Sequence, residues 1–400
     1  MNLLLSDRVN NLAESETLAM SRRSRELRQK GVDVINLSLG EPDFNTPEFI
    51  KDAAKQALDD NITHYTPVPG VLELRQSISR KLKRDNNLDY PPEQIVVSTG
   101  AKQSLANVVL SLVNDGDEVI LPVPYWVSYR DIVGLAGGEI VAMHSGIKED
   151  FKVDFSKLGD YITPKTKLII FSSPCNPSGA VYSKEELKQL ADVLVKNPTV
   201  YVISDEIYEH ISYTQKHESL GQFPEIYNQL ITVNGVSKGF AMTGWRVGYI
   251  GAPLHIAQAA GKIQGQITSG TCSIAQLAAK AAVDADPSVV SDMLDAFKFR
   301  RDLILELLKA IPGMNCNMPE GAFYVFPEVS SYFGTEVDGR KITDSVDLCN
   351  YILEVGHVAL VPGNAFGSPE CIRISYAASE SQIREAVNRI KSVLEKLNRS

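Results

Sequence analysis

The sequence predicts an α/β protein whose larger part holds a mostly parallel β-sheet sandwiched by helices. Three observations support this prediction. Short apolar runs alternate with helical patterns from about residue 50 to 285, most runs end next to a polar residue, and the pattern changes after "AVDADPSVV". We therefore expect a large domain over 46–285 and a smaller α+β domain formed by both chain ends, 1–45 and 286–400.

The elements follow in chain order. The first 45 residues carry one helical pattern, AMSRRSRELRQKG, which Gly31 ends, and one strand, DVINLSLG. Five continuous apolar runs then predict strands that are buried on both faces: EQIVVSTG, DEVILP, KLIIFSS, TVYVISDE and LITVNGV. A long amphipathic helix over roughly 287–310 and the strands GAFYVFP and CIRISYA belong to the smaller domain. Ser379 and Gln382 predict a capping box for the last helix.

The charge composition of the chain indicates which kind of molecule it binds. The chain has 400 residues, 40 of them basic and 49 acidic, with a formal net charge of −9 and no basic block. This argues against nucleic acid or an anionic membrane as the main partner and favours small molecules. The five cysteines are scattered without a Cys-x-x-Cys pair, so we expect reduced thiols and no metal site. Without a signal peptide or an apolar stretch of about 20 residues, we expect a cytoplasmic protein.

The polar residues that end the strands should converge. In open α/β sheets, ligands bind in the crevice outside the carboxyl ends of the strands. The residues that follow the five predicted strands, in order, are Gly100 to Lys102, Trp126, Asn176, Asp205 and Lys238.

Lys238 lies in VNGVSKGFAMTGWRVGY, among unusually small neighbours. An exposed lysine is the ordinary interpretation. However, Gly235, Ala241 and Gly244 leave room for a planar group to reach the amine. Arg246 supplies the planar, permanently charged fork that binds phosphate. A lysine for carbonyl chemistry beside an arginine for phosphate suggests a phosphorylated aldehyde.

Other motifs fit the same ligand, although each has an ordinary structural interpretation. Asp205 could cap a turn, or its carboxylate could keep a heteroaromatic nitrogen protonated, with Tyr208 three residues later. STGAKQSL could be a simple turn, or a phosphate cradle at a helix N-terminus. Asn176 lies in a Pro- and Gly-bounded turn, and Trp126 could be core or a stacking platform. Together they fit one cofactor, pyridoxal 5′-phosphate (PLP).

Five stretches carry a resemblance to a known family: GVSKGFAMTGWRVG, SDEIYE, NPSGAVY, PYWVSY and LGEPDFNTP. They resemble the class I aminotransferases of the PLP-dependent aspartate aminotransferase family, which has fold type I, and in particular its bacterial branch. The resemblance covers almost the whole chain. It implies a homodimer with active sites at the subunit boundary, a large PLP domain and a small domain that closes on the substrate.

The resemblance also implies roles for residues around the cofactor. Lys238 would form the Schiff base with PLP, Asp205 would pair with the pyridine nitrogen, and Tyr208 and Asn176 would bond the 3′-oxygen. Trp126 would stack on the ring. The phosphate region would comprise Gly100, Ala101, Lys102, Ser237 and Arg246, together with Tyr65 in HYTPVPG, which would reach the phosphate of the partner subunit.

The same resemblance places the substrate. Arg373 in CIRISYA would bind the α-carboxylate, lined by Gly40, Trp126 and Asn176. A guanidinium also fits a carboxylate on physical grounds, because it forms two parallel hydrogen bonds, although a surface arginine at a strand end is the ordinary alternative. The resemblance implies ping-pong transamination, with Lys238 as the base for the α-proton.

Substrate choice depends on a second carboxylate. One branch of the family uses an arginine of the partner chain, but the corresponding stretch here, QGQITSGTCS, has none. We therefore predict that Lys102, Ser15 and Thr17 bind the distal carboxylate, and that L-aspartate and 2-oxoglutarate give oxaloacetate and L-glutamate. Ala13 stands where some members carry a lysine linked to prephenate use, which argues against prephenate.

Several alternatives remain open at this point. They are an aminotransferase for aromatic or neutral amino acids or for prephenate, a PLP-dependent lyase, and a non-catalytic ligand-binding relative. A dinucleotide enzyme fits worse, because no G-x-G-x-x-G follows the strands.

Overall fold

The structure, a computed structural model, describes residues 5–10, 12, 16–214, 216–337 and 339–397. The helices are α1 (Asp7–Asn10), α2 (Glu16–Gln29), α3 (Glu48–Asp59), α4 (Leu72–Asn86), α5 (Ala101–Leu112), α6 (Ser128–Leu135), α7 (Lys184–Lys196), α8 (Leu254–Ile267), α9 (Ser273–Asp284), α10 (Ser291–Lys309), α11 (Ser345–Tyr351) and α12 (Glu380–Leu397). The strands are β1 (Ile35–Asn36), β2 (Ile95–Ser98), β3 (Glu118–Val123), β4 (Glu139–His144), β5 (Thr166–Ser172), β6 (Tyr201–Asp205), β7 (Leu230–Gly235), β8 (Gly248–Gly251), β9 (Tyr324–Val325), β10 (Glu336–Val337), β11 (Arg340–Lys341), β12 (Val358–Ala359), β13 (Val361–Pro362) and β14 (Ile372–Ser375).

The central sheet has seven strands in the order β2-β8-β7-β6-β5-β3-β4. Only β8 runs antiparallel to its neighbours, so the mostly parallel sheet expected from the sequence is confirmed. The five predicted strands are β2, β3, β5, β6 and β7. The sequence analysis missed β4, which lies at the edge and is only partly buried, and the short Gly-bounded β8.

Helices cover both faces of this sheet. On β5, Leu168 and Ile170 pack into a cluster with residues of α5 and α8, whereas Ile169 packs into a second cluster with residues of α7. Successive side chains of a strand point to opposite faces, so β5 is buried on both. The predicted α/β class, with helices on either side of the sheet, is therefore confirmed.

The chain ends form a second group of elements. Strands β13, β14 and β9 make a three-stranded antiparallel sheet, and β1 pairs with β12 in parallel. The chain therefore connects its N-terminal segment to its C-terminal part through β1. Helix α10 begins four residues later than predicted, because Pro287–Val290 forms a 3₁₀ turn. The domain boundaries at 46 and 285 stay a prediction.

Helix α12 shows how local sequence defines an element. The Gln382 N–H donates to Ser379 Oγ at 3.3 Å, and the Ser379 N–H donates to Gln382 Oε1 at 3.2 Å, as expected for a capping box. Its buried stripe is Ile383, Ala386, Val387, Ile390, Val393, Leu394 and Leu397. Across the described part of the chain, none of the helices combines the length and apolarity that crossing a bilayer requires.

The sheet brings the predicted site residues to one edge. Ser172 at the end of β5 is in register with Asp205 at the end of β6, and Asp205 is in register with Val233 of β7. Since these strands are parallel, the loops that follow them leave on the same side. The segments that carry Asn176, Tyr208 and Lys238 therefore start next to one another.

Candidate active site

A cavity of about 380 Å³ lies at the carboxyl ends of the parallel strands. Twelve of the fifteen residues predicted for the site line it. They are Thr17, Gly40, Ala101, Lys102, Trp126, Asn176, Asp205, Tyr208, Ser237, Lys238, Arg246 and Arg373. Of the other three, Gly100 packs against the guanidinium of Arg246, which lines the cavity. Tyr65 is fully exposed to solvent, and Ser15 lies outside the described residues.

Asp205 is a buried acid that lacks a cationic partner in salt-bridge contact among the described residues. It ends β6, where Oδ2 accepts a hydrogen bond from the Tyr129 hydroxyl at 2.8 Å and Oδ1 accepts from the Ile207 N–H at 3.2 Å. Burial raises the pKa of Asp205 to about 6, although both hydrogen bonds favour the ionised form. The two hydrogen bonds thus orient the Asp205 carboxylate but do not fully compensate its negative charge. A protonated ring nitrogen would supply the missing positive charge.

Lys238 lies three residues after β7, and its Nζ donates to the Gly40 carbonyl. Burial, together with the positive charges of Arg373 and Arg246, lowers the pKa of Lys238 to about 8, against the raising effect of the charges of Glu41 and Asp205. A lysine with this pKa has an appreciable fraction of neutral amine near pH 7. It is therefore available both as a nucleophile and as a base.

The small residues around Lys238 have structural roles that differ from the one predicted from the sequence. A Cβ on Gly235 would lie 2.9 Å from the Val247 carbonyl oxygen, so this glycine allows close packing of β7 against β8. Ala241 adopts a positive φ of 50°. Only Gly244 has open space around it. The expectation that all three leave room for a planar group is therefore wrong for Gly235.

The phosphate end of the cavity lies at the start of α5. Gly100 is the N-cap, with φ 84°, and a Cβ there would lie 2.3 Å from the guanidinium of Arg246. Glycine is required because the guanidinium occupies that space. Arg246 also donates to the Thr243 carbonyl at 3.0 Å. Its charge and the N-terminal N–H groups of α5 form a cradle for an anion.

Arg373 is a buried cation on β14, only 2% exposed. Its Nη1 donates to Asn176 Oδ1 at 2.9 Å, and its Nη2 donates to the Ser38 carbonyl at 2.6 Å. Its Nε is buried and has no partner in the described structure. A buried guanidinium with two neutral partners and a free N–H is suited to a carboxylate, since the carboxylate supplies both the charge and the missing acceptor.

Two tyrosines that sequence reasoning missed complete the site. Tyr129 holds Asp205, as above, and Tyr324 of β9 shares a hydrogen bond of 2.7 Å between its hydroxyl and that of Tyr208. Both line the cavity. Tyr129 follows Trp126 in PYWVSY and Tyr324 lies in GAFYVFP, which the sequence analysis treated only as a strand. The signal that could have found them was a tyrosine next to a motif already singled out.

Two of the three residues predicted to bind the distal carboxylate, Lys102 and Thr17, line the cavity. Lys102 Nζ stands 5.0 Å from the centre of the Trp126 ring. Thr17, at the start of α2, lines the same cavity, and its hydroxyl is buried without a hydrogen-bond partner in the part of the chain described. Burial and the charge of Arg246 lower the pKa of Lys102. The structure thus brings Lys102 and Thr17 into one cavity, while Ser15 and Ala13 lie outside the described residues.

Comparison with known proteins gives the family. Residues 32–390 match the family described as aminotransferase class I and II. The chain belongs to the class I and II aminotransferases. It is 47% identical over 399 residues to a bifunctional aspartate aminotransferase and glutamate/aspartate-prephenate aminotransferase of Petunia hybrida, covering 98% of this chain and 83% of that one. It is 45% identical to an aspartate/prephenate aminotransferase of Cereibacter sphaeroides, covering 97% and 98%.

Solved structures of aspartate aminotransferases have the same fold as this aminotransferase. The aspartate aminotransferase of Rhizobium meliloti superposes with a TM-score of 0.95 at 40% identity, covering 99% of this chain and all of that one. The aspartate aminotransferase of Thermus thermophilus with maleate superposes with a TM-score of 0.91 at 40% identity, covering 97% and 99%. The expected fold type is thereby confirmed.

Proposed function

We propose that this aminotransferase uses PLP to transfer the amino group of L-aspartate to 2-oxoglutarate, which gives oxaloacetate and L-glutamate. The observation that carries the proposal is one cavity that joins an amine of lowered pKa at Lys238, an unpaired buried acid at Asp205 and an unpaired buried cation at Arg373. Such perturbed groups in one cavity are typical of catalytic sites.

The residues present fit PLP at three points. Asp205 offers a negative charge that a protonated pyridine nitrogen would meet. The cradle of Gly100 and Arg246 has no room for a Cβ but is open on its cavity side, where a phosphate would lie. Tyr208 and Asn176 line the same cavity, and Asn176 accepts a hydrogen bond from Arg373 at 2.9 Å. When bound, PLP supplies the electron sink for the bond broken at the substrate α-carbon.

Residues of the chain would bind the substrate and transfer its α-proton. Arg373 and Asn176 would hold the α-carboxylate and so fix the α-carbon against Lys238. Lys238 Nζ would take the α-proton in its neutral form and return it from its protonated form, which a pKa of about 8 allows near neutral pH.

A spectroscopic experiment tests this function. The purified protein, supplied with PLP, should show a visible absorbance band that changes on addition of L-aspartate and is restored by 2-oxoglutarate. If no band forms, the cofactor proposal fails. If a band forms and responds to alanine or phenylalanine but not to aspartate, the aminotransferase assignment stands and the substrate proposal fails.

Aspartate specificity has its own test at Lys102. We expect Lys102→Ala to reduce the preference for aspartate over alanine, measured as the ratio of kcat/KM values, by roughly 10- to 100-fold, the usual effect of losing a charge-assisted hydrogen bond. Lys165→Ala, an exposed lysine in the loop before β5, is the matched control. An unchanged ratio in Lys102→Ala would exclude the proposed contact.

Prephenate is a second candidate substrate. It is supported by relatives at 44–47% identity whose names include it, such as those of Petunia hybrida and Nitrosomonas europaea. The sequence argument against it uses Ala13, which lies outside the described residues. An assay with prephenate as acceptor and aspartate or glutamate as donor decides between the two expectations.

We also propose a cytoplasmic homodimer with shared active sites. Tyr65 has a side chain that is 101% exposed, and large apolar residues such as Ile62 and Ile267 are exposed as well. An exposed tyrosine could contribute to a partner's phosphate site only across a subunit boundary. Sedimentation should therefore give twice the chain mass, and Tyr65→Phe should weaken PLP binding without dissociating the dimer.

A further inference from the structure

Tyr324 lies where three segments of the proposed site meet, although nothing in its sequence motif marked it. It is fully buried on β9. Its hydroxyl lies 2.7 Å from the Tyr208 hydroxyl, and its ring centre lies 4.6 Å from the guanidinium carbon of Arg373. A Cβ on Gly40 would lie 2.4 Å from the Tyr324 hydroxyl, so this glycine is needed for the tyrosine to reach the cavity. One side chain therefore contacts residues assigned to the cofactor and residues assigned to the substrate.

If Tyr208 donates a hydrogen bond to the cofactor, the donor in the hydrogen bond between Tyr208 and Tyr324 is determined. A tyrosine hydroxyl has a single proton to donate. If Tyr208 donates that proton to an oxygen in the cavity, the proton between the two tyrosines must come from Tyr324. A hydrogen bond received by a hydroxyl makes it a stronger donor, because bonds in a chain polarise one another. Tyr324 would thus strengthen the bond that Tyr208 makes to the ligand.

The ring contact acts on Arg373. Two of the guanidinium nitrogens are held by Asn176 and by the Ser38 carbonyl, and the aromatic rings of Tyr324 and Phe366 lie 4.6 and 5.1 Å from its central carbon. A cation near an aromatic face is attracted by the ring quadrupole, most strongly where water is excluded. The ring of Tyr324 therefore helps to keep the fork of Arg373 charged and oriented without competing for the N–H groups that a carboxylate needs.

We propose that Tyr324 is a positioning residue that links the two halves of the site, with its hydroxyl setting Tyr208 and its ring setting Arg373. The inference rests on the proposed PLP-dependent function. It assigns separate effects to the two parts of one side chain. Removal of the hydroxyl should disturb the cofactor end alone, whereas removal of the ring should also disturb carboxylate binding.

Three variants separate these effects in the PLP-loaded protein. Tyr324→Phe removes the hydroxyl and keeps the ring, and Tyr324→Leu removes both. The matched control is Tyr376→Phe, because Tyr376 is another buried tyrosine whose hydroxyl pairs with a tyrosine, Tyr213, at 3.1 Å, and it is not among the residues that line the cavity. The readouts are the pH midpoint of the visible absorbance band and the Kd of succinate, a non-reacting dicarboxylate.

We expect Tyr324→Phe to raise the pH midpoint of the absorbance band by roughly half to one unit. The reason is that a weaker hydrogen bond from Tyr208 would stabilise the deprotonated 3′-oxygen of PLP less. Its Kd for succinate should stay within about twofold of the wild type, since the ring remains. Tyr324→Leu should shift the midpoint similarly and raise the succinate Kd about tenfold. Tyr376→Phe should change neither quantity.

The outcomes that overturn the proposal are distinct from those that overturn the function. Absence of any absorbance band in the wild type would remove the PLP assignment itself. A normal wild-type band with the same midpoint in Tyr324→Phe would remove only the role of the hydroxyl, and an unchanged succinate Kd in Tyr324→Leu would remove the role of the ring. An equal shift in Tyr376→Phe would show general loosening instead of positioning. Should Tyr324→Leu not fold, Tyr324→Met provides the ring test.

Discussion

The segment 205–209 contributes acids to two groups of charged residues that are built oppositely, Asp205 to one and Glu206 and Glu209 to the other. On the cavity side, Asp205, Lys238 and Arg373 have no oppositely charged partner in salt-bridge contact within the described residues. The other group, which we call the charge network, comprises Lys81, Glu206, Glu209 and His217. There Lys81 Nζ binds Glu209, and His217 Nε2 lies 3.1 Å from Glu206 Oε2.

The pKa values express this difference. Burial raises the pKa of Asp205 to about 6. Burial also acts to raise the pKa of Glu209, but the charges of Lys81, His210 and His217 hold it well below its usual range. Donor atoms of Glu206, Glu209 and His217 come within 4.8 Å of one another, an arrangement that could hold a cation, and Lys81 supplies a positive charge beside it. A buried charge with a partner in the chain is costly to disrupt by removing that partner, whereas a buried charge without one can be compensated by a bound ligand.

The largest expected effect comes from Lys238→Met. The variant loses the nucleophile and the base together, so kcat should fall by at least about 10³-fold and the PLP absorbance band should not form. Its stability without PLP should not fall, because Lys238 makes no salt bridge with an acid among the described residues that its loss would leave unpaired. Activity assays and urea unfolding of the same preparation check both statements, and retained transamination would contradict the role given to this lysine.

The same substitution at the other buried lysine should have the opposite result. Lys81→Met removes the closest cationic partner of the buried Glu209, which then keeps His210, with Nε2 3.3 Å away, and a hydrogen bond from the Asn86 amide at 2.8 Å. Removing one partner of a buried ion pair typically costs about 3–5 kcal/mol of unfolding free energy. The kcat of the folded fraction should be unchanged, since Lys81 does not line the cavity. Lys83→Met on the same helix is the control, because its ion pair with Asp89 is exposed and contributes at most about 1 kcal/mol. Equal stability of the two variants would remove the contrast between the regions.

This contrast also explains what the sequence could predict. The motif around Lys238 and the strand that ends at Asp205 are local, so five of the seven sheet strands could be predicted from short runs of residues. The twelve lining residues were predicted from such runs together with the family resemblance. The partners of these residues are not local. Tyr324 meets Tyr208 across 116 positions and Lys81 meets Glu209 across 128, and no spacing rule in a single sequence connects such pairs. Small residues were also ambiguous, since Gly235 serves strand packing and Gly100 makes room for a guanidinium.

A smaller effect distinguishes Asp205 from an ordinary acid. A carboxyl whose pKa is raised on folding contributes stability that is present below its unfolded pKa and is lost as pH rises through about 6. In protein prepared without PLP, Asp205→Asn should therefore raise the unfolding free energy by about 2–3 kcal/mol near pH 8 and by little near pH 4.

Urea unfolding over this pH range measures the effect of Asp205→Asn, with the exposed Asp150→Asn as the control for loss of a carboxylate. The variant should also lose activity, which would separate stability from function at one residue. A stability difference that did not change with pH would mean that Asp205 already has a compensating partner in the protein without cofactor.

The smallest effect should come from His217, on the side where charge is met. Burial acts to lower the pKa of His217, but the negative charge of Glu206, whose Oε2 lies 3.1 Å from Nε2, outweighs it, and the pKa lies above its usual value. The stability gained from this ion pair is present below the unfolded pKa and is lost as pH rises through the folded one. His217→Gln should therefore cost about 1 kcal/mol near pH 6 and less near pH 9, measured by urea unfolding with the exposed His144→Gln as the control for loss of an imidazole. Asp205 and His217 both have a raised pKa, so the stability that each contributes falls as pH rises, but the two substitutions act with opposite sign. Asp205→Asn stabilises the protein at high pH, whereas His217→Gln destabilises it at low pH. The two titrations together therefore test whether neighbouring segments of one chain hold an uncompensated and a compensated charge. If His217→Gln became more costly at high pH, the imidazole would act as a neutral partner, and the charge network would carry an unmet negative charge of its own.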